Sequence, residues 1–167
     1  MNDPRLQAFL EKQEIRDVLA RYCRGIDRLD SDLIASVYHE DAYDDHGTFK
    51  GNGKEFAKSV VVGLARFERT MHTIANCLIE VDGDTATAET YCIAYHRTKA
   101  ADGPQEDFLA GVRYIDRLER RSEGGPWLIA RRVVVMEWTR FDPIVRQWEA
   151  TDAFTRGVRD RTDLVYG

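Results

Sequence analysis

The sequence predicts a single cone-shaped α+β barrel, in which N-terminal helices lie across one face of a strongly curved antiparallel sheet. The chain has 167 residues, which fits one domain with a sizeable core. Apolar residues recur at helical spacing in the first part, and strand-like runs separated by turns follow from Thr70. Helices gathered before strands indicate α+β layers, and the open end of a cone is a natural apolar pocket.

Three helices are predicted before residue 67. The first is favoured because its apolar residues, from Leu6 to Ile26, are mostly three or four positions apart, with charges between them. Asp30 breaks this pattern and caps a second, short helix. A small hairpin or loop is expected over residues 41–53. The predicted helices cover residues 5–29, 33–38 and 54–66.

Four strands are predicted after residue 70, in an antiparallel meander too long to lie flat. Asp82-Gly83-Asp84 is typical of a hairpin turn, and Pro143 ends the last strand. Beyond it the chain is polar, with Trp148 and Phe154 as candidate anchors. The predicted strands cover residues 71–82, 85–98, 106–121 and 127–140. We expect one domain over residues 1–167, with a core at 5–142 and a tail at 143–167.

Composition argues against several classes of partner. The net charge is −5, and Lys and Arg are scattered among Asp and Glu, so the basic stripe that nucleic acid requires is missing. No apolar run approaches the roughly 20 residues that cross a bilayer. The polar start lacks the apolar core of a signal peptide, so we expect a cytoplasmic protein with no membrane partner. The three cysteines, Cys23, Cys77 and Cys92, are interpreted as free buried thiols.

The most informative pair of residues is Asp27, on the first predicted helix, and His72, at the start of the strand pattern. If the fold brings them together, Asp27 can hold the imidazole by one nitrogen and leave the other free to take a proton from a substrate. Such a pair performs acid–base chemistry without a metal or cofactor. Alternatively, Asp27 is a solvated carboxylate at the helix end, and His72 is a structural histidine.

Five stretches of sequence, in the order of the predicted elements, match a known family. They are Ile15–Tyr22 with Gly25–Asp27, Tyr38–Ala42, Met71–Asn76, Arg113–Arg117 and Trp127–Arg132. The chain resembles the SnoaL-like branch of the nuclear-transport-factor-2-like superfamily, which includes dehydratases and a dehydrochlorinase. The similarity extends to about Arg140. Many members only bind ligands, so the fold by itself does not establish activity.

The resemblance implies roles for four residues. Asp27 and His72 fall where the enzymes of the superfamily keep an Asp–His pair. Tyr22, five residues before Asp27, matches a tyrosine that precedes the Asp in the dehydratases, and its phenol is an oxyanion donor or a core residue. Arg132 falls near a pocket arginine, where it would bind a substrate oxygen. Its neighbour Arg131 points to the opposite face, and the alignment leaves open which of the two enters the pocket.

Four further residues are candidates for substrate binding. Asn76 shares the predicted strand face of His72, and it either binds substrate or satisfies backbone groups. His96 is a second acid or base, or a residue at a wet strand end. Tyr43 and Tyr95, like Tyr22, are either oxyanion donors or core residues.

A group of polar residues before the third helix contains side chains of the types that bind metals. It consists of His39, Asp44, Asp45 and His46. Their spacing does not match a closed site, so we interpret this segment as a solvated loop and expect no metal or other cofactor.

Together these observations predict a cofactor-independent lyase of the dehydratase type, or an isomerase, that acts on a small apolar ring compound. The resemblance implies a polyketide, steroid or aromatic intermediate. The alternative is a non-catalytic module that binds a small ligand or scaffolds a larger enzyme. In either case the open sheet face favours a homo-oligomer, a dimer or a trimer.

Overall fold

The structure, a computed structural model, describes residues 3–148 and 153–167. The helices are α1 (Pro4–Arg28), α2 (Ser31–Ala35) and α3 (Gly53–Leu64). The strands are β1 (Tyr38–Asp45), β2 (Lys50–Asn52), β3 (Phe67–Asp82), β4 (Thr85–Thr98), β5 (Glu106–Glu119) and β6 (Leu128–Pro143). Short 3₁₀ turns cover Ala100–Asp102 and Leu164–Tyr166. Within the described ranges, no helix is long and apolar enough to cross a membrane.

The helix ends follow from local capping chemistry. Asp3 accepts a hydrogen bond from the main chain of Arg5 at the start of α1. Leu29 ends that helix in the left-handed conformation, with φ of 53°. Asp30 then caps α2 by accepting from the N–H of Leu33, as the sequence predicts. The second helix is nevertheless shorter and earlier than expected, because Tyr38 already begins β1.

The sheet contains the predicted antiparallel meander and a feature that the prediction missed. Its strand order is β2-β1-β6-β5-β4-β3, and β3 through β6 pair as successive antiparallel neighbours. Segment 41–53 supplies an antiparallel pair, β1 and β2, but β1 also pairs with β6 in parallel. The sheet is therefore mixed rather than purely antiparallel. The parallel contact was not foreseen because pairing between residues so far apart leaves no local pattern.

A bulge in β3 changes which side chains face the helices. Between Ile74 and Cys77 the strand carries one more residue than β4 opposite it. His72 and Ile74 are partly buried, whereas Asn76 and Leu78 are exposed and Ile79 is buried. A bulge reverses the alternation of side chains, so the prediction that His72 and Asn76 share one face is wrong.

The hydrophobic core lies between the concave face of the sheet and the three helices. The inward positions of β4 carry small side chains, which leave room for the larger residues of α1 and β5. Completely buried members of the core include Ile15, Leu19, Ile26, Ile34, Leu118, Trp127 and Ile129. Cys23 and Cys92 belong to this core, and Cys77 is half-buried.

The tail returns to the helices, but not through the predicted aromatic anchors. Trp148 and Phe154 are exposed and pack on each other, with ring centroids 5.5 Å apart. The attachment is polar instead. Arg28 donates to the carbonyl of Val158 (2.6 Å) and pairs with Asp163 (2.8 Å).

Candidate functional site

Asp27 and His72 meet inside the cone. One carboxylate oxygen of Asp27 lies 2.8 Å from His72 Nδ1, and the other accepts a hydrogen bond of 2.9 Å from the main-chain N–H of His72. The last turn of α1 therefore fixes both the backbone and the ring of a residue on β3. With Nδ1 protonated towards the carboxylate, the lone pair of Nε2 is the basic site of the ring.

The pair lies in a nearly dry environment. The side chains of His72 and Asp27 are only 8% and 11% exposed. Burial by itself would raise the pKa of Asp27, but the hydrogen bonds and charge of His72 outweigh it and hold that pKa below the ordinary value. Asp27 is thus a carboxylate at neutral pH, and it can stabilise an imidazolium formed on His72.

His96 stands beside this pair. Its ring meets that of His72 edge-on, with centroids 5.5 Å apart, and it packs between Phe67 (4.9 Å) and Phe108 (5.3 Å). Burial, together with the charge of His72, lowers the pKa of His96 to about 4. Its Nδ1 is buried without a hydrogen-bond partner. The expectation that His96 lies at a wet strand end is wrong, because its inward position on β4 places it among aromatic rings.

A cavity of about 430 Å³ lies beside the aromatic rings that flank His96. Phe67 and Phe108, the two rings that flank His96, both line it, and Phe141 stacks on Phe108 at 4.7 Å. Arg66, Lys99 and Glu106 also contribute to its lining. Through these two rings the cavity adjoins His96, whose ring in turn packs on His72.

Tyr22 belongs to a second polar group, which we call the inner polar cluster: Tyr22, Tyr38, Asp44 and His46. His46 Nδ1 contacts Asp44 Oδ1, and His46 Nε2 lies 3.1 Å from the hydroxyl of Tyr22. Tyr38 donates to the other oxygen of Asp44 (2.6 Å). The phenol of Tyr22 is therefore engaged by His46, and burial raises its pKa. This geometry does not support the predicted role of Tyr22 as an oxyanion donor beside His72.

Arg132 is the inward-facing member of the arginine pair. It is completely buried and makes two hydrogen bonds of 2.7 Å to Asp116, its cross-strand partner on β5. Its guanidinium lies 4.1 Å from the ring centre of Tyr22 and 4.4 Å from that of Tyr114. Arg132 thus forms a structural ion pair with Asp116 in the core. Its contacts do not support the predicted role in binding substrate. Arg131 is exposed and lies over the ring of Tyr43.

Three predicted binding residues lie on the outer face of the sheet, away from the Asp27–His72 pair. Tyr43 is 37% exposed and contacts Arg131. Tyr95 donates to Asp107 (2.8 Å), because it alternates with the inward Ala94 and His96. Asn76 is turned outward by the bulge in β3. The predicted binding roles of these three residues are wrong for a site inside the cone.

One buried residue, Asp44, and one half-buried residue, His46, were missed because their segment was interpreted as a solvated loop. Asp44 is completely buried, and His46 stacks on Phe56 with centroids 4.0 Å apart. The signal was present in the sequence, since Ala42, Asp44 and His46 alternate as the inward positions of a strand do. In residues 3–148 and 153–167, no group of three or more His, Cys, Asp or Glu is arranged to hold a metal ion.

The fold and the site together define a cone-shaped α+β protein with a carboxylate–imidazole pair in its interior. A family model described as a SnoaL-like domain matches residues 7–133. The chain belongs to this family, as its sequence motifs indicate. The uncharacterised protein Rv2910c of Mycobacterium tuberculosis is 30% identical over 126 residues, which are 74% of this chain and 83% of the relative. The uncharacterised Mb2934c of Mycobacterium bovis matches equally well.

Several solved structures are similar in fold. The type 2 hexachlorocyclohexane dehydrochlorinase LinA gives a TM-score of 0.72 at 20% identity, over 89% of this chain and 99% of the other. A candidate scytalone dehydratase of Novosphingobium aromaticivorans gives a TM-score of 0.70 at 21% identity, over 84% of this chain and 97% of the other. Rv3472 of Mycobacterium tuberculosis, whose function is unknown, gives a TM-score of 0.69 at 27% identity, over 81% of this chain and 76% of the other. The first two likenesses establish the shared fold alone.

Proposed function

We propose that this protein is a cofactor-independent lyase or isomerase that removes a proton from carbon in a small apolar ring compound, with His72 as the base. The observation that carries the proposal is the pair of hydrogen bonds that the Asp27 carboxylate accepts from His72. One comes from Nδ1 of the ring at 2.8 Å, and the other from the main-chain N–H at 2.9 Å. A histidine held in one tautomer inside a dry interior is prepared to accept a proton at Nε2.

The chemistry uses the two residues in different roles. A C–H bond of the substrate breaks, its proton moves to His72 Nε2, and its electron pair stays on the substrate. Asp27 stabilises the imidazolium that forms. In an elimination that electron pair forms a new double bond, while a β hydroxyl departs with its own bonding pair and takes up a proton to become water. In an isomerisation the imidazolium returns the proton to another carbon.

The surroundings of the pair favour an apolar substrate. The rings of Phe67 and Phe108 flank His96 and line the 430 Å³ cavity, where they offer apolar contacts beside the charged Arg66, Lys99 and Glu106. The relatives of known fold include a dehydrochlorinase and a candidate dehydratase, which also supports elimination. Polyketide, steroid and aromatic intermediates are the substrate classes that we propose.

Proton abstraction can be tested before the natural substrate is identified. We would incubate the protein with 2-tetralone and related cyclic ketones in D₂O, and follow loss of the α-hydrogen signals by NMR. His72→Ala should lower the rate of exchange by about 10²–10⁴-fold, the usual contribution of a positioned base. Asp27→Asn should lower it as well, because the imidazole loses its fixed tautomer and its counter-charge.

Asn76→Ala is the matched control, since Asn76 is exposed on the outer face of the same strand, and its rate should stay that of the wild type. Exchange by His72→Ala at the wild-type rate would contradict the assignment of the base. A protein that binds these ketones without catalysing any exchange would instead be the non-catalytic binding module.

A further inference from the structure

The C-terminal strap, which we define as residues 158–166, is fastened to the ends of α1 and α2. Arg28 binds the carbonyl of Val158 and the carboxylate of Asp163. Tyr166 donates to Asp30 (2.8 Å), and Arg161 pairs with the same carboxyl group (2.9 Å). Attachments at both ends of the strap fix the position of the residue between them, Arg159.

Arg159 inserts its guanidinium between three elements. Nη1 donates to the carbonyls of Phe67 (2.6 Å) and Leu64 (3.1 Å), and Nε donates to the carbonyl of Asp27 (3.4 Å). In the described part of the chain, these partners are all main-chain carbonyls and none is a carboxylate. Nη2 is buried and has no partner. A buried guanidinium N–H without an acceptor is costly, so this position is suited to an acceptor supplied by a ligand.

The contacts of Arg159 belong to a closed series of contacts that includes the Asp27–His72 pair. Arg159 binds the carbonyl of Asp27, and the carboxylate of Asp27 binds His72. The ring of His72 meets that of His96, His96 packs on Phe67, and the carbonyl of Phe67 returns to Arg159. The five residues therefore form one connected cluster.

A second polar atom in this region is also unsatisfied. Nδ1 of His96 is buried without a partner, and Thr70, which faces His96 across β3 and β4, has its hydroxyl beside the carboxylate of Asp27 and helps to lower the pKa of that group. Thr70 and His96 are 5% and 7% exposed. Buried polar groups in folded proteins are nearly always paired, so the unpaired Arg159 Nη2 and His96 Nδ1 beside the Asp27–His72 pair indicate a site built for a polar group of a ligand.

We infer that Arg159, assisted by His96, forms an oxyanion subsite that binds a carbonyl or carboxylate oxygen of a small apolar ring compound. For its catalytic meaning the inference rests on the proposed function. When His72 takes a proton from the carbon next to a carbonyl, the electron pair moves onto that oxygen. A cation held beside the oxygen stabilises the resulting enolate. The substrate class is thereby narrowed to ring compounds that carry a carbonyl next to the acidic C–H bond.

Binding of two probes of similar shape tests the subsite without any turnover. 2-Naphthoate presents an anionic oxygen, and 2-methylnaphthalene presents none. Wild-type protein should bind the naphthoate more tightly than the hydrocarbon. Arg159→Gln should weaken naphthoate about tenfold or more, as expected for loss of a charged hydrogen bond, and should leave methylnaphthalene unchanged. Arg16→Gln removes the same charge at an exposed position on α1, outside the strap, and should bind both probes like wild type.

A readout on the wild-type protein keeps the test independent of how the variants fold. The ¹⁵N signal of the Arg159 side chain should shift on addition of naphthoate and stay in place with methylnaphthalene. Equal naphthoate affinity in Arg159→Gln and wild type would overturn the subsite, as would equal losses for both probes. Failure of the proposed function is a separate result: naphthoate binding would still depend on Arg159, while His72→Ala would leave ketone exchange unchanged.

Discussion

At the scale of single residues, burial determines what each titratable group can do. His96 and Arg132 both lie inside the protein, yet only the arginine has a carboxylate paired with it, at 2.7 Å. His96 has aromatic rings around it and the positive charges of His72 and Arg159 near it, with Asp27 as the opposing charge. The folded protein therefore keeps His96 neutral, and Arg132 charged.

This neutrality makes stability depend on pH. The pKa of His96 falls from an ordinary 6.5 to about 4 on folding. As pH drops below 6.5, His96 binds a proton in the unfolded chain but not in the folded protein. The free energy of unfolding therefore decreases as pH falls. Between pH 7 and pH 5 the loss from this group is about 2 kcal/mol. Urea unfolding of wild type and His96→Phe at pH 7 and at pH 5 measures this change in the free energy of unfolding.

The variant should lose that part of the pH dependence, since phenylalanine has no proton to bind and fits between two aromatic rings. His39→Gln is the control, because His39 binds a main-chain carbonyl at the opposite end of the sheet, and it should retain the wild-type slope. An unchanged slope in His96→Phe would show that other groups cause the acid sensitivity.

At the scale of elements, the close approach of α1 and α2 positions the end of α1 that carries Asp27. Gly25 makes this approach feasible: a Cβ there would lie 2.7 Å from Cγ1 of Ile34 and 3.0 Å from its backbone nitrogen. The backbone of α2 cannot move away cheaply, because the cap by Asp30 and the strap hold it. The glycine is thus required by packing, although it weakens the helix in which it lies.

Two glycine-to-alanine substitutions should have opposite effects. Gly25→Ala should destabilise the protein by about 1–3 kcal/mol through overpacking. Gly63→Ala, within α3 and with nothing near its Cβ position, should stabilise it by about 0.5–1 kcal/mol. Thermal and urea unfolding of both variants gives the comparison. A stable Gly25→Ala protein would mean that α1 and α2 separate more easily than their contacts indicate.

At the scale of the whole molecule, the outer face of the sheet differs from the usual surface of a monomer. Exposed apolar side chains lie on neighbouring strands there: Met71, Leu78, Tyr91, Ile93, Ile115, Met136 and Trp138. Among them lies a concavity of about 570 Å³. Arg113 stands on this face between Glu89 and Glu137, at 2.6 Å from each, so both signs of charge are available for a symmetric contact.

We expect a second copy of the chain to cover this face, in a dimer or trimer. Light scattering after size exclusion should give the mass of an oligomer for wild type. Ile93→Lys, placed at the centre of the face, should lower that mass towards the monomer. Val62→Lys adds the same charge at an exposed position on α3 and should leave the mass unchanged. A monomeric wild type would contradict the expectation.

The sequence by itself determined the class of fold, the cap of α2 by Asp30 and the meander, because these depend on periodicity and on neighbours along the chain. It also singled out Asp27 and His72, through motifs shared with a family. Only the tertiary structure decided what surrounds them. One bulge turned Asn76 outward, and the parallel pairing of β1 and β6 buried Asp44 beside Arg132. Folding also brought Arg159 from the tail to Asp27, since contacts between residues 132 positions apart depend on the path of the whole chain and leave no local signal.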